Sequence, residues 1–185
     1  MKSCFSKGNL LMKNVVRYLT IAVAFYLGAV GGYAQSMTDT LSIQAKQTAD
    51  AMLNKDYETV IRFTHPSVVE AMGGFQKALA FIKTTMSELE SKGGAYEAFR
   101  VGRPSAIVRE GQENVAIVPT EMEVRIGNKR VRVNSYLVAV TRNRGKNWYF
   151  LDGAEMPKGK LAQMYPNLAA RVEIPEHKTQ VISGG

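Results

Sequence analysis

Over residues 39–53 the apolar side chains Leu41, Ala45, Ala49, Met52 and Leu53 recur every three or four positions, which predicts an amphipathic helix with Thr38 or Asp39 as its N-cap. Asp56 is placed to cap a short second helix, YETVIRF, which must end before His65-Pro66 because a residue preceding proline is pushed out of the helical region. Ser67 can cap a further turn, SVVEAM, stopped by Gly73-Gly74. A longer helix follows, with Phe75, Ala78, Leu79, Ile82, Met86 and Leu89 on one stripe and a glycine stop at Gly93-Gly94.

From Ala95 the period changes to two. YEAFRV and SAIVRE read as strands, and EMEVRIGNKRVRVNSYLVAV reads as a hairpin about a two-residue Gly127-Asn128 turn. That turn sets Val124 opposite Val131, Met122 opposite Val133, Thr120 opposite Ser135, Val118 opposite Leu137 and Ala116 opposite Ala139 on one continuously apolar face. The other face pairs Glu123 with Arg132, Glu121 with Asn134 and Pro119 with Tyr136 before turning apolar at Ile117, Val138, Val115 and Val140. A slip of one residue would bring Val124 against an arginine, so alternation and turn chemistry agree. A bulge at Pro119, which has no N–H to give, would shift the residues before it.

A turn at Asn143-Arg144-Gly145 then returns the chain as NWYFLD, with Val140 expected opposite Trp148 and Val138 opposite Phe150. In that register Tyr149 and Leu151 join the continuous face, while Trp148 and Phe150 extend the half-apolar one. The half-apolar face needs a cover, either the tail with Leu161, Met164, Leu168, Val172 and Ile174, or a second subunit seated on Ile117, Val138, Val140, Trp148 and Phe150. Helices first and strands afterwards give an α+β class, with N-terminal helices packed on a curved antiparallel sheet.

Composition adds an address. Four basic residues and no acidic ones precede the run YLTIAVAFYLGAV, and small residues follow in GGYAQS, the order of a secretory signal peptide cut after Ala34. The run is shorter than the ~20 residues that cross a bilayer as a helix, so no membrane attachment is expected after cleavage. Removing 1–34 takes those four charges with it, and the net charge of the 185-residue chain falls from +8 to +4. The organisation expected is a leader at 1–34, an α+β domain at 35–157 and a tail with a short helix at 158–185, exported to the periplasm or beyond. The single cysteine, Cys4, lies in the leader, so the remainder has no disulfide, thiol nucleophile or thiolate metal site.

The exported leader, long first helix, DYETVIRFTHP, a further helix and a long-stranded sheet ending in KNWYFLDG resemble the nuclear transport factor two-like superfamily of exported bacterial type. The resemblance spans about 38–153. It implies a cone-shaped, cystatin-like fold shared with ketosteroid isomerase and scytalone dehydratase, with a pocket at the cone's mouth and often a dimer contact on the opposite sheet face.

The residues offer little poised chemistry. His65 is the single histidine before the tail and the weak candidate for a general base, but its place beside Pro66 suits a helix end equally well. His177 lies in the polar tail. In the expected register the inward face carries Thr120, Ser135 and Tyr149 beside Met122 and no carboxylate, so the isomerase pattern implied by the resemblance is not matched. Tyr96 could line the pocket but reads more simply as core, and Asp152 as a turn former before Gly153. No cofactor motif appears, no His, Asp and Glu residues cluster at metal-ligand spacing, and the strand arginines read as a solvated face rather than a nucleic-acid surface. A noncatalytic domain is expected, binding a small apolar or amphipathic ligand at Thr120, Met122, Ser135 and Tyr149, or a protein partner on its outer sheet face. The alternatives are a lyase or isomerase of the ketosteroid isomerase type and a structural homodimer of the cell envelope joined through the sheet.

Overall fold

The computed structural model describes residues 36–182. Two units divide the chain, Met1–Met37 and Thr38–Gly185, and of the first only 36–37 fall among the described residues. The expected leader, with its expected cut after Ala34, lies outside them.

Helix α1 covers 36–53, and Thr38 and Asp39 sit inside it rather than capping it: the Ser42 hydroxyl donates to the Thr38 carbonyl one turn back. Its buried stripe is Leu41, Ala45, Thr48 and Ala49. Helix α2 (Tyr57–Phe63) starts as predicted, with the Asp56 carboxylate accepting from the backbone N–H and hydroxyl of Thr59. Helix α3 (Pro66–Ala71) starts differently. His65, not Ser67, is the N-cap, its Nδ1 accepting the Ser67 N–H at 3.3 Å, and Pro66 takes the first helical position, where a missing N–H costs nothing. Helix α4 (Phe75–Ser91) buries Ala78 and Leu79, and ends where Gly94 N–H reaches the Leu89 carbonyl past a left-handed Gly93.

Among the described residues the sheet has six antiparallel strands: β1 (Ala95–Val101), β2 (Val108–Glu110), β3 (Glu113–Ile126), β4 (Lys129–Thr141), β5 (Tyr149–Asp152) and β6 (Lys178–Ile182). Strands β1 and β2 share one edge of β3, and β5 and β6 share the far edge of β4. The class is α+β. The β3–β4 hairpin has the register read from sequence throughout, Val124 opposite Val131 and Val115 opposite Val140, about a Gly127 whose φ of 60° suits a primed turn.

No bulge forms at Pro119. A strand residue directs its N–H and C=O to the same side, and Gly102 N–H donates to the Pro119 carbonyl, so the missing donor faces the stretch where β1 has ended and β2 has not begun. That stretch is where SAIVRE was expected to be strand throughout; only its last three residues pair. Ser105 repairs the interruption, giving its N–H to the Ile117 carbonyl and accepting the Ile117 N–H on its hydroxyl.

Strand β5 departs from expectation by one residue. Val140 pairs with Tyr149, Val138 with Leu151 and Leu137 with Asp152. The reason lies in the connection, where the Thr141 hydroxyl accepts from Asn143 and Gly145 N–H, the Asn143 side chain accepts from Asn147 N–H, and Arg144 and Gly145 both have positive φ. Such a loop holds one more residue than a tight turn at Asn143-Arg144-Gly145. Because side chains alternate, the offset turns every β5 side chain to the face opposite the one expected.

The cover over the half-apolar face is the chain's own tail. Helices α5 (Lys158–Met164) and α6 (Pro166–Arg171) bring Leu161, Tyr165 and Leu168 onto Ile117, Val138, Val140 and Leu151, with Met156 and Ile174 completing one buried cluster. Glu110 fastens α6, its two carboxylate oxygens accepting from Leu168 N–H and the Asn167 side chain at 2.7 and 2.9 Å. The tail therefore holds two helices and a strand, within the same unit as the domain it covers.

This changes the reading of the outer face as a subunit contact. Ile117, Val138 and Val140 are buried under the tail, Phe150 has turned to the opposite face, and Trp148 is buried with its backbone N–H held by Gln44 of α1. A second subunit could touch none of the five without displacing part of this chain.

Candidate functional site

The continuously apolar face of β3 and β4 is covered by α1, α2 and α3, but not completely. A cavity of about 270 Å³ remains between them. Thr48 and Met52 of α1, Val60 and Phe63 of α2 and Val68 of α3 wall one side; Tyr96 and Phe99 of β1, Thr120 and Met122 of β3, and Leu137 of β4 wall the other. Strand β5 closes one end with Phe150, Leu151 and Asp152. Phe150 stands against Phe63 with ring centroids 6.2 Å apart. The end of α2 is tied to the same strand, where His65 N–H donates to the Phe150 carbonyl.

Of the residues expected to contact a ligand, Thr120 and Met122 line this cavity. Ser135, the cross-strand partner of Thr120, shares their face, but its hydroxyl lies 3.3 Å from His177 Nδ1 at the β6 edge. Tyr149 is on the other side of the sheet. The β5 offset places it beside Val140, with its ring edge-on to His65 at 6.5 Å.

The same offset brings in a carboxylate that the expected register excluded. Asp152, opposite Leu137, faces inward and lines the cavity at its exposed rim. One of its oxygens accepts the Ala154 N–H at 2.9 Å, so it also begins the short 3₁₀ turn Gly153–Glu155, the turn-forming role read from sequence. Burial first, then the negative charge of Asp152, push the Tyr96 hydroxyl above its ordinary range. Tyr96 thus takes the pocket place that its position on the first strand allows, and Asp152 one that the expected register denies it. Thr141 and Asn143, two side chains apt to scaffold a loop, are the signal that a longer connection was available.

His65 belongs to another hollow, of about 360 Å³, with Ser67, Glu70, Arg142, Asn143 and Tyr149. Burial depresses its basicity, with the nearby Glu113 opposing and Arg142 adding to the effect. Its Nδ1 is occupied by Ser67, whose hydroxyl is 2.7 Å away, and Arg142 is paired with Glu113 at 2.7 Å. These contacts describe a helix cap beside an ion pair. Glu121 and Glu123 point away from the cavity, as expected, into a ladder with Arg100 and Arg132 that holds the Glu123 carboxyl below its usual range.

Among the described residues, no three His, Cys, Asp or Glu side chains gather where they could hold a metal ion, and no helix is long and apolar enough to cross a membrane. Comparison with protein-family models gives no match to this chain, and comparison with curated proteins gives none either.

Proposed function

We propose that this chain is an exported, noncatalytic binding domain on the nuclear transport factor two-like plan, and that the cavity beneath α1 and α2 takes a small apolar or amphipathic molecule. The cavity carries the reading: about 270 Å³ of space within an apolar wall, at a place where a monomer bent only on stability would pack solid. The order of helices before a long-stranded sheet supports the cone-shaped plan, and the basic-apolar-small order of 1–34 supports export. Native mass spectrometry of the purified chain tests the reading. A small molecule retained under gentle conditions and lost on denaturation is expected; a chain that carries nothing and takes up no apolar probe overturns it.

The inward Asp152 favours a second reading, a lyase or isomerase in which that carboxylate removes a proton and Tyr96 faces the developing charge. Binding is preferred because Asp152 is exposed and already accepts a backbone N–H, whereas an effective base works in a site from which water is shut out. Deuterium uptake from D2O into small cyclic ketones, abolished by Asp152→Asn, would establish the catalytic reading instead.

A further inference from the structure

The formal charge of the cavity wall has one sign. Among the described residues lining it, Asp152 is the only acid, and neither lysine, arginine nor histidine contributes to the wall. The Thr48 and Thr64 hydroxyls are turned away from a ligand, each donating to a carbonyl of its own helix at 2.9 Å. Around the remaining space stand four aromatic rings, Phe63, Phe99, Phe150 and Tyr96. An aromatic ring is negative over its face and attracts organic cations, and a carboxylate at the rim adds a full charge of the same preference.

Resting on the ligand-binding reading above, we propose that the cavity selects an organic cation, an amine or quaternary ammonium whose apolar body lies among Phe63, Phe99 and Phe150 and whose charge rests at Asp152. An amphipathic anion of the same body, a carboxylate for instance, would bring its head group to Asp152 with no basic side chain in the wall to receive it. A neutral molecule could offer the carboxylate a hydrogen bond but no opposite charge. The cavity is at the small end for ligand pockets, which suits a phenylalkyl body better than a long acyl chain.

The test uses the purified full chain, the uncharged fluorophore N-phenyl-1-naphthylamine as reporter, and two competitors with one body and opposite charge, 4-phenylbutylamine and 4-phenylbutyrate. The amine is expected to displace the reporter at about three- to tenfold lower concentration than the acid, the range for an exposed carboxylate that attracts one head group and repels the other. In Asp152→Asn, which keeps an oxygen for the Ala154 N–H and should still bind the reporter, that ratio should fall to about one. Raising NaCl should shrink the ratio in the unaltered chain, an arm that does not depend on the variant folding. Equal displacement by the two competitors, a preference for the acid, or an amine preference that survives both Asp152→Asn and high salt overturns the proposal while leaving the cavity a binding site. Failure of the reporter to bind the unaltered chain overturns the ligand-binding reading itself, and this proposal with it.

Discussion

Val138 pairs with Leu151 rather than with Phe150, and this single offset determines which side chains meet in the cavity. It sends Leu151 to the tail-covered cluster and Tyr149 to the His65 hollow, and it gives Phe150 and Asp152 to the cavity. A register change of one residue thus exchanges a tyrosine for a carboxylate in the wall of the candidate site.

The tail should behave as core. Leu168 is fully buried on Ile117, Val138 and Val140, so Leu168→Ala should lower the free energy of unfolding by about 2–5 kcal/mol, seen as a lower midpoint in urea with little change in slope. An effect within about 0.5 kcal/mol, the range of ordinary surface substitutions, would mean that the tail does not cover the sheet in solution.

Gly153 should resist any side chain. A Cβ there would lie 2.3 Å from the Tyr136 carbonyl oxygen and 2.7 Å from its ring, so Gly153→Ala must force β4 and the turn after β5 apart. The expected cost is about 1–3 kcal/mol by thermal or chemical denaturation. It should also loosen the hydrogen bond from the Tyr136 hydroxyl to the Met156 carbonyl, read as faster amide exchange around Met156.

His65 predicts a pH dependence of stability with a defined sign. Burial lowers its basicity in the folded chain below the ordinary value of 6.5, so the unfolded chain takes up a proton first as pH falls. The stabilisation is complete above about 6.5 and declines as pH drops from there through the folded value. His65→Asn, which can still cap α3, should flatten that part of the profile, whereas His65→Ala should also lose about 0.5–2 kcal/mol at neutral pH. Unfolding midpoints between pH 5 and 8 read both effects.

The hairpin of β3 and β4 was fully legible because two independent constraints agreed: a two-residue glycine turn, and an alternation in which Glu121, Glu123 and Arg132 would have been buried by any slip. Strand β5 had neither. Trp148, Tyr149, Phe150 and Leu151 are all apolar, so both registers put hydrophobic side chains on both faces and alternation could not choose. The choice fell to the loop, whose length depends on Thr141 and Asn143 side chains bonding backbone groups several residues away. The cavity was therefore half legible, Thr120 and Met122 through the hairpin, but not Asp152. Strand β6 was invisible for another reason: KTQVI is mostly polar and exposed, and pairs along the charged half of β4, where no apolar alternation is required.

If the space beneath α1 and α2 binds a ligand, filling it with a side chain should remove the binding. Thr120 is buried in its wall, and Thr120→Phe places a ring in the cavity without touching the charged face. Titration of the unaltered chain with N-phenyl-1-naphthylamine should give a saturable rise in fluorescence, and the variant, folded by circular dichroism, should give at least about tenfold weaker binding. Equal uptake by a folded Thr120→Phe chain would contradict the account.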